Sequence, residues 1–273
     1  MCKSHSWSTF CWGESDESRY FRSLKAMKLA LISDIHSNRQ ALDAVLRHAR
    51  EAGATQYVFL GDLVGYGGDP GWVVDRVIDY AGQGAVVVQG NHDYYTVNLA
   101  PDTMHGNARL ALDWTREQLT PAQQRFLAEL PLSRQLEDCL FVHANAFAPG
   151  GWAYILGRME AMRSLQATQA RYTFCGHMHE PMLYHLSGTG KAGDFSPAPG
   201  VDIPLLTHRQ WLVIPGACGQ PRDGNPAACY ALFDHAASSL RFQRVPYDVD
   251  AAAATIRAAG LPERLAERLG QGQ

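Results

Sequence analysis

Five short blocks of the sequence contain side chains that bind metal ions, and each block follows an apolar run. Carboxylate, amide and imidazole groups make up these blocks: Asp34 and His36; Asp62; Asn91, His92 and Asp93; His143; and His177 and His179. In the D-x-H block at 34–36 and the H-x-H block at 177–179 the two side chains lie two residues apart, so an extended segment presents both on one side. The blocks are therefore candidates for one site assembled from distant parts of the chain.

Aspartate, asparagine and histidine, without cysteine thiolate, suit borderline or hard divalent cations. Manganese is the expected ion, and iron, zinc, nickel or cobalt would also suit such ligands. Seven of these nine side chains are counted as candidate ligands, all but His92 and Asp93. Seven are too many for one ion, but two ions that share a bridging carboxylate would accommodate them. Pairs of ions about 3.5–4 Å apart recur in enzymes that hydrolyse phosphate esters. The residue types therefore predict a two-metal centre.

The elements that must position the first three blocks alternate between strand and helix. Apolar runs predict strands over residues 28–33, 56–60 and 85–88. Amphipathic stripes predict one helix that is capped by Ser37 or Asn38 and ends at Gly53, and another over about 70–81. This order predicts a parallel sheet covered by helices. Ligands of such sheets bind beyond the carboxyl ends of the strands, where the polar blocks lie.

The second half of the chain predicts another sheet. Residues 107–130 are expected to form two helices, the second capped by Thr120 with Pro121 at its first position. Six short apolar runs predict strands of an antiparallel or mixed sheet: 140–143, 172–175, 182–186, 211–214, 229–233 and 240–245. A helix over about 158–167 interrupts this sheet. The segment 187–208, rich in Gly, Pro and Ser, is expected to be an irregular loop, either a lid or a mobile connection.

These elements predict an α/β fold, a four-layer α/β/β/α sandwich of two mixed sheets with flanking helices and a metal site at the strand C-terminal ends. Residues 27–250 are expected to form one catalytic domain, followed by a helical tail over 251–273. Residues 1–26 lack periodicity and the apolar core of a signal peptide. They are expected to be a disordered leader before a natural start at Met27; the alternative is a short arm that packs on the body or on a second subunit.

Composition and charge exclude several classes of protein. Of the 273 residues, 46% are hydrophobic and 19% charged, which argues against a disordered chain or a coiled coil. No apolar run approaches the roughly 18 residues of a membrane span. The net charge of −3 disfavours a nucleic-acid partner, so local charge would have to bind a phosphate group. Six cysteines without a C-x-x-C pair indicate reduced thiols and a cytoplasmic location.

The five ordered blocks resemble the calcineurin-like metallophosphoesterases. The resemblance covers about 146 residues from Asp34 to His179, and extends in looser form to Arg222. The segments 30–38, 61–67 and 215–222 are most similar to the YfcE-like phosphodiesterase branch. A single D-x-H or G-N-H-D motif would be weak, but five blocks in order, each after a predicted strand, are specific.

The resemblance implies a role for each residue. Three residues would hold the first ion: Asp34, His36 and His179. Three others would hold the second: Asn91, His143 and His177. Asp62 would bridge both ions. His92 would stabilise the transition state and protonate the leaving oxygen, a role that suits imidazole. Asp93 would either orient that ring or brace a metal ligand.

The resemblance implies hydrolysis of small phosphodiesters, phosphomonoesters or nucleotides by a hydroxide that bridges the two ions. The alternatives are a dinucleoside-polyphosphate hydrolase, a protein phosphatase and a non-catalytic scaffold of the same fold. Gly65 and Tyr66 stand where protein phosphatases carry an Asp or Asn and an Arg, which disfavours that activity.

Four further residues are candidates for substrate contact: Tyr66, His105, Arg109 and Arg222. The three basic residues would bind phosphate, and the tyrosine would stack on a base or an aromatic leaving group. Their alternatives are solvated charges, ion pairs and amphipathic surface cover. Oligomeric state is not predicted.

Overall fold

The computed structural model describes residues 24, 27–102, 104 and 106–273. Its strands are β1 Lys28–Ile32, β2 Gln56–Phe59, β3 Val86–Val87, β4 Ser133–Leu136, β5 Cys139–Val142, β6 Tyr172–Phe174, β7 Pro181–Ser187, β8 Ala192–Phe195, β9 Asp202–Pro204, β10 Arg209–Pro215, β11 Ala228–Asp234 and β12 Ser239–Val245. Its α-helices are α1 Arg39–Glu51, α2 Pro70–Gly82, α3 Asn91–Val97, α4 Gly106–Gln118, α5 Pro121–Glu129, α6 Arg158–Gln166, α7 Val249–Ala258 and α8 Glu263–Gln271.

Two six-stranded mixed sheets form the centre of the fold. The first has the order β3-β2-β1-β11-β12-β9, and the second has the order β4-β5-β6-β10-β7-β8. In the first sheet β1, β2 and β3 are parallel, and β11, β12 and β9 add antiparallel pairs. In the second sheet β5, β6 and β10 are parallel, whereas β4, β7 and β8 pair antiparallel.

The central strands β1, β5 and β6 bury both faces, which explains their nearly continuous apolar runs. Leu29 and Leu31 of β1 pack in a cluster with Phe141 and Phe174 of the second sheet, between the two layers. The alternate residues of β1, such as Ile32, pack under α1 and α2. On the outer face of the second sheet, α6 covers a third cluster. The predicted α/β/β/α fold class is confirmed.

Several local signals produced the predicted helices. Asn38 caps α1 by accepting a hydrogen bond from the backbone N–H of Ala41 at 3.0 Å. Thr120 caps α5 through the N–H of Gln123, with Pro121 at the first helical position. Both caps satisfy N–H groups that the helix cannot pair internally.

The assignment of strands to sheets needs correction. β11 and β12, predicted in the second sheet, belong to the first, where β11 pairs antiparallel with β1. Apolar alternation identifies a strand, but not the distant partner with which it pairs. The interpretation of 187–208 as an irregular loop is wrong over β8 and β9, which extend one edge of each sheet. The exposed edge strand β4 and the short helix α3 were not predicted.

The C-terminal helices α7 and α8 bury one face each. Ile256 and Leu269 lie in a cluster with Ala111 of α4, and Tyr66 packs against the same cluster. This contact joins the C-terminal helices to the loop after β2, which carries one of the polar blocks. Within the described residues, every helix is too short or too polar to cross a membrane.

Candidate metal centre

The polar blocks meet at one end of the two sheets. Asp34 follows β1, Asp62 follows β2, Asn91 begins α3 after β3, and His143 and His177 follow β5 and β6. Backbone hydrogen bonds connect neighbouring loops: the N–H of Asp34 donates to Gly61, and that of Gly176 donates to His143. The edge at which parallel strands end therefore brings the candidate residues together.

The loops at this edge hold strained backbone. Among the described residues, ten that are not glycine have a positive φ, and eight of them lie here: Asp34, His36, Ser37, Asp62, Tyr66, Trp152, His177 and His179. Such conformations cost about 1–3 kcal/mol each and persist where the surroundings over-determine them. Gly90 lies so close that a Cβ there would overlap the Asp62 carboxylate. These contacts fix the directions of the polar side chains.

One group of buried side chains could hold a first ion. The ligand atoms of Asp34, His36, Asp62 and His179 all lie within 4.8 Å of one another. The two imidazole Nε2 atoms, of His36 and His179, are 3.1 Å apart. Oδ1 of Asp34 lies 3.3 Å from Nε2 of His179.

A second group shares Asp62 with the first. Oδ2 of Asp62 lies 3.7 Å from Nε2 of His36 and 3.4 Å from Nε2 of His143. Nε2 of His143 is 3.2 Å from Nδ1 of His177. Asn91 Oδ1 is buried and has no hydrogen-bond partner in the described part of the chain. This carbonyl oxygen is therefore available as a further ligand.

The outer ring nitrogens fix the tautomers of all four imidazoles. Each lies within hydrogen-bond distance of a backbone carbonyl, in the pairs His36–Val64 at 3.1 Å, His143–Leu60 at 2.7 Å, His177–Trp152 at 3.0 Å and His179–Gln220 at 2.7 Å. A carbonyl only accepts, so the outer nitrogen carries the proton and the inner nitrogen of a neutral ring carries a lone pair. His36 and His179 therefore turn inner lone pairs about 3 Å apart toward each other, and these lone pairs repel unless a cation lies between them. The residues fit divalent ions.

Burial keeps most of these rings uncharged. Burial holds the pKa of His36 and His179 well below the usual range, and burial together with His143 lowers the pKa of His177 to about 3. His143 differs because the Asp62 carboxylate overcomes burial and raises its pKa to about 9. Without metal, the centre therefore retains one imidazolium beside Asp62.

His92 lies at the margin of the first group. Its ring centroid is 4.9 Å from that of His36 and 4.5 Å from that of Tyr66. Nδ1 of His92 is buried and lacks a partner among the described residues. Gly65 makes room for it, because a Cβ on Gly65 would lie 2.5 Å from Nδ1. Burial lowers the pKa of His92 despite the nearby Asp62 charge, so the ring is neutral at neutral pH.

The Asp93 carboxylate binds backbone, not the His92 ring. Oδ1 accepts hydrogen bonds from the N–H groups of Leu63 at 2.9 Å and Val64 at 3.2 Å, and Oδ2 accepts one from Gly90 at 3.0 Å. Burial and the Asp62 charge raise the pKa of Asp93 to about 7. Of the two roles predicted for Asp93, this geometry supports bracing of the loop that carries Asp62.

Arg222 lies beside the centre, whereas Arg109 does not join it. Nη2 of Arg222 donates to the side chain of Gln220 at 3.0 Å, and the Gln220 carbonyl accepts from His179. Arg109 forms an ion pair at 2.8 Å with Asp113 on its own helix. His105, which is also a candidate for substrate contact, lies outside the described residues.

Sequence reasoning missed two aromatic residues beside the second group. Trp152 supplies the carbonyl that accepts from His177. Tyr154 stacks on the His177 ring, with centroids 4.0 Å apart and planes 12° apart. The only signal for them in the sequence is that two aromatic residues follow the His143 block. Their contact with His177, which is 25 residues after Trp152, can be recognised only once the fold is known.

Comparisons with known proteins agree with this geometry. A family model described as "Calcineurin-like phosphoesterase superfamily domain" matches residues 27–238. An uncharacterized protein of Methanocaldococcus jannaschii is 33% identical over 250 residues, 90% of this chain and 98% of its own length.

Two solved structures extend the likeness. A metallophosphoesterase from Sphaerobacter thermophilus has 35% identity and a TM-score of 0.79, covering 91% of this chain and 100% of its own. A hypothetical protein from Pyrococcus horikoshii has 19% identity and a TM-score of 0.73, with 90% and 98% covered. The second likeness concerns the fold alone.

Proposed function

Because this chain belongs to the calcineurin-like phosphoesterase superfamily, we propose that it is a two-metal hydrolase of small phosphate esters. One observation carries the proposal. Two groups of buried ligand atoms converge, and both contain Asp62. In a non-catalytic scaffold of the same fold, nothing would require four imidazoles to turn their inner nitrogens toward one another.

In this proposal, Asp34, His36 and His179 hold one ion, and Asn91, His143 and His177 hold the other. Asp62 contributes to both. Two such ions, when bound, lower the pKa of a water molecule and neutralise charge on the phosphoryl oxygens. Manganese is the ion that we propose, and iron, zinc, nickel or cobalt would also suit carboxylate, amide and imidazole ligands.

The remaining residues would act on the substrate. His92 would face the phosphate and, as an imidazolium that a bound phosphate favours, donate its proton to the leaving oxygen and become neutral. Arg222 would bind phosphoryl oxygens with its planar guanidinium, which suits bidentate contact. Arg222 would thus take the place of the arginine that protein phosphatases carry at the position of Tyr66, although it comes from another loop.

The overall charge supports a small substrate. With a net charge of −3, the chain lacks the basic surplus of proteins that bind polynucleotides. Four described cysteines are free and buried, which is compatible with the proposed cytoplasmic location.

The test is hydrolysis of bis-p-nitrophenyl phosphate and p-nitrophenyl phosphate by metal-stripped protein, with and without manganese. We expect turnover that requires manganese, and its loss together with metal content in Asp62→Asn. Asp43→Asn makes the same change at an exposed ion pair with Arg47 and should match the wild type.

Full turnover after thorough chelation would refute the two-metal proposal. Two ions per chain without turnover of any phosphate ester would instead favour the scaffold.

A further inference from the structure

Three aromatic side chains border the second ligand group on its outer side. We call Tyr94, Trp152 and Tyr154 the aromatic rim. The Trp152 ring lies 6.0 Å from Tyr94 and 6.0 Å from the ligand candidate His143. Each member is close in sequence or space to the half of the centre that contains Asn91, His143 and His177.

Tyr154 has the geometry of a stacking surface. One face of its ring lies flat on His177, at 4.0 Å and 12°, yet 46% of the residue is exposed. Since the inner face is covered, its exposed surface includes the outer face and edges of the ring. A substrate whose phosphate lies at the second ligand group would project past this surface.

The loop holds Tyr154 in place before any substrate arrives. On one side of it, the carbonyl of Ala153 accepts a hydrogen bond at 2.8 Å from the buried Asn145 side chain. On the other side, Ile155 is 1% exposed and packs in the cluster under α6. A side chain anchored on both flanks loses little conformational freedom on binding, which favours affinity.

Arg222 connects this surface to the phosphate position. Nη2 of Arg222 donates to Gln220, whose carbonyl accepts from the ligand candidate His179. The Arg222 charge also counteracts the rise in pKa of the Tyr154 hydroxyl and of the Asp34 carboxylate, so it lies near both the ring and the metal centre. A phosphate bound by Arg222 and an aromatic group stacked on Tyr154 can therefore belong to one small molecule.

We propose that Tyr154 determines specificity, by stacking on a planar aromatic group that the phosphate ester carries. The group is either a nucleobase or an aryl alcohol, which share this chemistry. Tyr94 and Trp152 border the same space. This inference rests on the proposed function, because it places the phosphate at the metal centre.

The test uses ligand pairs that differ only in the planar ring. Adenosine 5′-monophosphate is compared with ribose 5-phosphate, and phenyl phosphate with cyclohexyl phosphate. Affinities for the manganese-loaded protein are measured as inhibition of initial diester turnover, in which a monoester that is itself hydrolysed still competes for the site. Stacking on one aromatic residue corresponds to about 10- to 100-fold in affinity, so we expect the planar member of at least one pair to bind that much tighter. The pair that shows the preference identifies the nucleobase or the aryl group.

Variants separate stacking from structure. Tyr154→Ala should bring the affinity ratio within the preferred pair close to one. Tyr154→Phe retains the ring and should retain the ratio. Leu156→Ala, at a neighbouring residue that is 77% exposed, is the control and should behave as the wild type.

Equal affinities within both pairs in the wild type, or a preserved ratio in Tyr154→Ala, would overturn the stacking role alone. If no phosphate ligand binds and no diester is hydrolysed, the proposed function fails as well.

Discussion

Asp62 should be the residue that keeps His143 protonated in the metal-free protein. The His143 ring is completely buried, and burial by itself would lower its pKa below 6.5. The Asp62 carboxylate, 3.4 Å from Nε2, instead raises that pKa to about 9. The net rise above 6.5 corresponds to about 3 kcal/mol, and the favourable interactions, of which that with Asp62 is the largest, together exceed this value because they also offset burial.

In Asp62→Asn the negative charge disappears and burial dominates. We expect the pKa of His143 to fall below 6.5, so that its ring is neutral at pH 7.5 in the variant and charged in the wild type. The measurement is a ¹⁵N NMR titration of histidine-labelled, metal-free protein. His143→Gln assigns the resonance among the eleven histidines, and Asp43→Asn controls for the loss of one charge.

Protonation of His143 also makes the stability of the metal-free protein depend on pH. Folded His143 keeps its proton to about pH 9, whereas the unfolded chain releases it near 6.5. The metal-free wild type should therefore lose stability as pH rises from about 6.5 through 9, and Asp62→Asn should lose less. Asp34, with a pKa of about 6, and His177, with about 3, titrate below this window, whereas Asp93, with about 7, completes its own loss of stability at the lower end of it.

Urea unfolding of the metal-free protein at the two ends of the window measures this effect. The role of Asp62 would be refuted if the His143 resonance of the wild type titrated below pH 6.5. It would also be refuted if the pKa of His143 were the same in Asp62→Asn as in the wild type.

Two further substitutions test the catalytic and structural roles. His92→Ala should keep both metal ions, by elemental analysis, yet slow turnover by about 10²–10⁴-fold, the range for a general acid; lost metal would make His92 a ligand instead. Asn38→Ala removes the cap of α1 and the side-chain hydrogen bonds to the Gly219 carbonyl and the Tyr247 hydroxyl. We expect a loss of about 1–3 kcal/mol in the free energy of unfolding by urea, and an unchanged value would show that these bonds contribute nothing net.

The predictable parts of the fold depend on local signals. Residues 29–32 are all apolar because β1 is buried on both faces, and the cap at Asn38 marks the start of α1. Polar residues at the ends of such runs can be placed at one edge without knowledge of the pairing partners, because parallel strands end together. Seven ligand candidates could therefore be brought together from the sequence.

The unpredicted parts depend on partners far along the chain. β11 has an apolar pattern that fits either sheet, and only its pairing with β1 assigns it to the first. Tyr154 resembles any exposed aromatic residue until the fold places it on His177, 23 positions later in the sequence. Periodicity reports which faces a segment buries, but it contains no information on which distant segment covers them.

The chemistry of the centre requires both kinds of information. The sequence predicts four imidazoles, but an imidazole can bind metal through either nitrogen, and it can also be charged. Backbone carbonyls decide this for each ring, and they belong to residues such as Leu60 and Val64 whose side chains are apolar. His177 alone turns Nδ1 inward, because the Trp152 carbonyl meets its Nε2. The loops thus select one nitrogen of every ring before an ion binds, which is why strained backbone is concentrated at this edge of the sheets.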